Sequence, residues 1–220
     1  MGGVNGKTPK ELFDLGVKSN KAKDYIQAKK YFEKACDLKY GRGCSALGIL
    51  YGNEQNDKKA LALLTKACEL NDDIGCFSLA VAYQHGAIVK KDLKKAIQYY
   101  SKACELNMGE GCTSLAFAYA NGNGVKKDLK KAFALYDKAC KLNDKEGCFR
   151  LGYMQENGEG VVKNKKQAMK TFEKACNLGS KGGCMGYLEL TMEGYIKRCE
   201  LGEKEACDTL EQFLDSIDSK

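Results

Sequence analysis

No stretch of this chain comes near the run of about 18 apolar residues that a membrane-spanning helix needs, so nothing in it is expected to insert into a bilayer. Histidine occurs once, at His85, and no Cys-x-x-Cys is present, which speaks against structural or catalytic zinc. No metal and no cofactor is expected. The first ten residues lack the apolar core of a signal peptide. Proline occurs once, at Pro9, and tryptophan not at all.

What the chain does hold is cysteine. Among 220 residues, 12 are Cys and 44% are apolar, enough for a buried core. So many cysteines fit a secreted or periplasmic protein, with a leader already removed and a start Met in its place. The formal charge is +7. Lysines recur in copies of one segment, Val89–Lys95 and Val125–Lys131, interleaved with acidic residues in a way that suits a solvated helix start. A nucleic-acid surface would need basic residues converging on one groove with stacking aromatics, and none is expected.

The cysteines fall into pairs at 36 and 44, 68 and 76, 104 and 112, 140 and 148, 176 and 184, and 199 and 207. From Cys68 to Cys176 the first members recur every 36 residues, and the surrounding sequence recurs with them, as in Gly75–Tyr83 and Gly111–Tyr119. Such self-similarity marks a repeat array. Each unit reads as two helices. The first starts near the second Cys of a pair and ends at Gly86, Gly122 or Gly158. The second starts after an N-cap at Asp92, Asp128 or Asn164 and buries a face such as Ala96, Tyr99, Tyr100 and Ala103. Asn107–Gly111 is expected to turn the chain into the next unit. The first two units have shorter internal loops, the link from Cys184 to Cys199 is compressed, and Cys207–Ile217 reads as a polar capping helix.

A helix end, a tight turn and a helix start bring positions i and i+8 close enough for a disulfide. Six bridges between consecutive units are therefore expected: Cys36 to Cys44, Cys68 to Cys76, Cys104 to Cys112, Cys140 to Cys148, Cys176 to Cys184 and Cys199 to Cys207. The first unit, with nothing before it, carries Leu12 where later units carry their second Cys.

The stretch Leu115–Cys140, with Leu-Ala-x-x-Tyr, Gly-x-Gly-Val-Lys-Lys-Asp and Tyr-x-Lys-Ala-Cys, resembles the Sel1-like repeat, a relative of the tetratricopeptide repeat. The paired cysteines resemble those of the Helicobacter cysteine-rich proteins. The resemblance implies an all-α, right-handed superhelical solenoid of about six antiparallel helix pairs over residues 9–217, with a flexible segment at 1–8 and a tail at 218–220. It also implies a secreted or periplasmic protein, penicillin binding and weak β-lactamase activity. The residues themselves carry no Ser-x-x-Lys, no set of His ligands and no unpaired cysteine beside a base, so an efficient hydrolase is not expected.

On a helical wheel, positions three, four and seven after the second Cys face the core. Positions one, five and nine point elsewhere, toward what the superhelix would make its concave side. They hold Phe77, Val81 and His85 in one unit, Phe117 and Asn121 in the next, and Phe149, Tyr153 and Asn157 in the third. An apolar stripe edged by amides suits an extended peptide, a protein segment, or peptidoglycan-derived or β-lactam material. Packing against neighbouring units and helix capping are the competing roles for these residues. The protein is expected to be a monomer.

Overall fold

One short pattern builds every junction between successive pairs: a leucine ends a helix, a left-handed residue reverses the chain, and an extended residue opens the next helix. Asn71, Asn107 and Asn143 take φ of 58°, 63° and 61°, and Gly179 takes 91°. Asparagine and glycine tolerate this conformation better than other residues. The computed structural model describes residues 6–218, which form twelve α-helices and no strand. Of the expected flexible segment and tail, residues 1–5 and 219–220 lie outside the described residues.

The chain divides into two compact units, the first up to Lys127 and the second from Asp128. The first unit holds α1 (Pro9–Lys21), α2 (Tyr25–Asp37), α3 (Gly41–Asn53), α4 (Asp57–Glu69), α5 (Asp73–His85), α6 (Leu93–Glu105) and α7 (Gly109–Asn121). Thr8 caps α1 in a reciprocal arrangement with Glu11, and Pro9 fills the first helical position. The expected N-cap Asp92 accepts from Lys95 N at 3.1 Å, and the expected stops Gly86 and Gly122 are left-handed, at φ 68° and 71°. The first helices begin three residues earlier than expected, at Gly41, Asp73 and Gly109 rather than at their cysteines. The turn into α7 is accordingly Leu106–Met108: Asn107 alone reverses the chain, and the glycines that suggested a longer turn already belong to the helix.

Those helical glycines serve close packing instead. A Cβ at Gly43, Gly75 or Gly111 would lie 2.8, 2.6 or 2.8 Å from the Cβ of Ala35, Ala67 or Ala103. Each alanine precedes the first Cys of a pair and each glycine precedes the second, so two helices cross almost backbone to backbone where the sulfurs meet. The bridges Cys36–Cys44, Cys68–Cys76 and Cys104–Cys112 accordingly span Cα separations of 4.6, 4.6 and 4.5 Å. Leu12, the counterpart of the second cysteines, is buried.

The second unit holds α8 (Leu129–Lys141), α9 (Lys145–Asn157), α10 (Lys165–Asn177), α11 (Lys181–Glu200) and α12 (Lys204–Asp218). The same caps recur at Asp128, Asn164 and Gly158. Cys140–Cys148, Cys176–Cys184 and Cys199–Cys207 complete the six bridges, and no described cysteine is free. Gln155, standing where a tyrosine recurs in other units, is buried and accepts the Thr171 hydroxyl at 2.7 Å. In the first unit the same place holds Tyr83 stacked on Tyr99, ring centroids 5.7 Å apart. The compressed link resolves into one continuous helix: α11 runs for 20 residues through the place where other units turn. The last helix starts at Lys204, three residues before the expected Cys207, matching the other helices that carry a second Cys.

Candidate binding site

Phe117 begins the site. It lies five residues after Cys112 on α7, outside the core stripe, and is 44% exposed. Ile49, its counterpart on α3, is exposed as well, and Val81 on α5 is half-buried. In the second unit the counterpart Tyr153 is also exposed.

The phenylalanines one residue after the second Cys behave differently. Phe77 packs on Tyr100, ring centroids 5.6 Å apart, and against the cluster of Leu64, Cys68, Cys76, Leu79 and Ala103. Phe149 packs on Phe172 at 6.1 Å. Both turn toward the second helix of their own pair and are half-buried. A position 100° from the core on an isolated wheel still meets the partner of a hairpin, which the wheel does not represent.

Beside Phe117 lies a cavity of about 320 Å³ between the end of α5, the first half of α6 and the middle of α7. His85 and Phe117 line it, as does Asn123 from the following loop rather than Asn121. Asn121 instead donates from Nδ2 to the Phe117 carbonyl at 2.8 Å, and Asn157 does the same to Tyr153 at 2.9 Å. Both amides thus bond a carbonyl in the last turn of their own helix. Their remaining amide atoms sit at exposed positions.

The cavity's floor comes from helix α6, which the wheel of first helices left out of account. Leu93, Ala96 and Ile97 supply apolar surface, and Tyr100 supplies a buried phenol. Ser114 hydrogen-bonds that phenol, and the Tyr100 hydroxyl donates to Gln84 Oε1. Gln84, held at its oxygen by that phenol, also lines the cavity and carries an amide donor group. Burial raises the Tyr100 phenol above its ordinary value of 10.0, more than the Ser114 hydrogen bond lowers it. Lys91 adds a cation, and no carboxylate lines the cavity. The arrangement suits an apolar group carrying hydrogen-bond acceptors. A signal for Tyr100 was present in the sequence: at that buried position other pairs carry Phe32, Leu64 or Phe172 and only α8 repeats the tyrosine, as Tyr136, and a hydroxyl there needs a partner.

Elsewhere, Tyr51 on α3 lies under the ammonium groups of Lys29 and Lys59, at 5.2 and 4.8 Å. Among the described residues no group of three or more His, Cys, Asp or Glu is placed to hold a metal, and no helix is long and apolar enough to cross a membrane.

The Sel1 repeat family profile matches residues 13–40, 41–72, 74–108, 109–144 and 145–180. Over 60 residues the chain is 57% identical to HcpC of Helicobacter pylori, a protein that carries a β-lactamase name. That match covers 27% of this chain and only 21% of the relative's length. A protective antigen of uropathogenic Escherichia coli with an SLR fold superposes with a TM-score of 0.74 at 23% identity, over 90% of this chain and 47% of that one. A Sel1 repeat protein from Oxalobacter formigenes gives 0.74 at 22%, over 83% and 75%. At these identities the two structures bear on the fold alone.

Proposed function

This chain belongs to the Sel1 repeat family, and from that premise we propose that it is an extracytoplasmic binding module whose ligand is a peptide, a protein segment or a cell-wall fragment. Repeat arrays of this kind bind peptides or proteins. The observation that carries the reading is the cavity under Phe117. It combines an exposed aromatic, an apolar floor and donors from Gln84, Lys91 and Asn123 without an opposing carboxylate. Main-chain carbonyls and the acyl groups of amino sugars present acceptors beside small apolar groups, the pattern such a lining complements. The six bridges support a place outside the reducing cytosol.

Titration calorimetry with a panel of unstructured peptides and muropeptides tests the reading. Phe117→Ala should weaken whatever binds by about 1–3 kcal/mol, the range for a central aromatic anchor. Asn123→Ala, which removes a lining amide, should weaken it less, by roughly 0.5–1.5 kcal/mol. Lys94→Ala and Lys130→Ala, at exposed positions outside the cavity, should change little beyond salt dependence. The reverse pattern, lysines decisive and Phe117 neutral, would move the site to the second helices and make the chain a scaffold that binds by that face.

A second reading is penicillin binding with slow hydrolysis. Besides the name of the Helicobacter relative, it has one observation in its favour: Ser114, Tyr100 and Lys91 line the same cavity. Against a working nucleophile stands the state of Tyr100. Its phenol holds its proton firmly and donates to Gln84, so it is poorly placed to take a proton from Ser114. Turnover of a chromogenic cephalosporin that survives exhaustive purification and vanishes in Ser114→Ala would establish this second reading.

A further inference from the structure

Four asparagines in the sequence are followed directly by glycine: Asn5, which lies outside the described residues, Asn121, Asn123 and Asn157. Such a pair carries its own chemistry. The main-chain nitrogen of the glycine can close on the amide carbon of the side chain before it, because the glycine has no Cβ to obstruct the approach. Two of the three described pairs are restrained against this. Asn121 Nδ2 donates to the Phe117 carbonyl at 2.8 Å, and the Gly122 N–H donates to the Ala118 carbonyl. Asn157 Nδ2 donates to the Tyr153 carbonyl at 2.9 Å, and the Gly158 N–H donates to the Met154 carbonyl, also at 2.9 Å. In both, the attacking nitrogen and the amide under attack are engaged.

Asn123 and Gly124 differ. Among the described residues nothing hydrogen-bonds the Asn123 side-chain amide or the Gly124 N–H. The Asn123 main chain is anchored, its N–H donating to the Ala118 carbonyl at 3.0 Å, while its side chain is exposed and lines the cavity beside Phe117. The glycine is required where it stands. Gly124 has φ of 74°, and a Cβ there would lie 2.8 Å from that of Leu93. The corresponding loops carry Ala87 and Glu159 in place of Asn123, so this loop alone sets an asparagine there.

We propose that Asn123 is a site of spontaneous modification, at which the folded protein exchanges an amide for a carboxylate inside its cavity. The Gly124 nitrogen attacks Asn123 Cγ. The N–Cγ bond forms, the Cγ–Nδ2 bond breaks, and the glycine's proton leaves with that nitrogen as ammonia. Water then opens the cyclic imide, giving aspartate where it cleaves the new bond and isoaspartate where it cleaves the old peptide bond. Water enters and ammonia leaves, with nothing oxidised or reduced. Either product puts a negative charge into a lining that holds Lys91 and no carboxylate. It also replaces an amide donor by a group that only accepts. Isoaspartate further lengthens the main chain immediately before Gly124, which packs on Leu93, another wall of the cavity. A ligand offering acceptors then meets repulsion where it had a donor, so the cavity loses affinity as the protein ages. This last step rests on the binding reading above.

Oxidised, folded protein held at mildly alkaline pH in heavy-oxygen water, then digested in acid and mapped by mass spectrometry, reports each asparagine separately. Asn123 should convert at least about tenfold faster than Asn121 and Asn157, which must first break two hydrogen bonds of ordinary strength. In the reduced, denatured chain the three rates should draw together. Isoaspartate should accompany aspartate at position 123. Equal rates in the folded protein, or aspartate without isoaspartate, would overturn the proposal, the second by showing direct hydrolysis without Gly124. For any peptide or muropeptide that binds fresh protein, aged protein and Asn123→Asp should both lose more affinity than Asn123→Ala. Undiminished binding by fully converted protein would overturn the effect on the cavity. A panel without a binder would count against the binding reading alone, and the mass measurements would still decide the chemistry at Asn123.

Discussion

Tyr136 lies almost wholly out of solvent on α8, and burial pushes its phenol up to about 12. The unfolded chain would titrate this group near 10.0. A raised value means that the folded state favours the neutral phenol. Its contribution is complete below the unfolded value and is lost as pH climbs from 10.0 toward about 12. Thermal melts across that window should show the wild type losing stability more steeply than Tyr136→Phe, which has no proton to shed. The pair Thr171 and Gln155 offers a second test at this scale. Thr171→Val should cost about 1–3 kcal/mol, because the buried Gln155 oxygen loses its donor, whereas Thr171→Ser should cost less. Denaturant melts of the two variants decide it, and equal losses would mean that packing by the methyl group matters more than the hydrogen bond.

At the scale of the elements, the bridges join helices that already touch. Replacing Cys104 and Cys112 together by Ala should lower stability by about 2–3 kcal/mol, the chain-entropy value for so short a loop, while leaving the far-ultraviolet dichroism intact. Loss of helical signal would mean that the bridge is needed to form the crossing, not only to hold it. The Gly–Ala contact supports the milder outcome, since Gly111 and Ala103 let the backbones approach without help from sulfur. The helices and their caps were legible in the sequence because local chemistry decides them: Asp92, Asp128, Gly86 and Gly122 act within one turn of chain. The glycines before each second Cys were open to misreading for the opposite reason. Their task is set by a helix eight residues back, and a turn signal in sequence looks the same as a close-packing signal.

For the whole molecule, repetition made the fold readable and the candidate site less so. A cysteine period of 36 residues fixes which helices follow one another. It does not say which side chains of a second helix reach beneath a first one, and Leu93, Ile97 and Tyr100 enter the cavity by that route. Asn121, assigned from the wheel to main-chain recognition, spends one donor on its own helix. The regular bridging has one more effect, on how the chain answers a pulling force. Each bridge holds Cα atoms eight residues apart at 4.4–4.8 Å, a stretch that would otherwise extend to roughly 25–30 Å. Tension on the two ends can therefore unravel the interior of a hairpin while every oxidised junction stays shut. The oxidised protein would lengthen in hairpin-sized steps, and reduction would add slack at six fixed places along its contour.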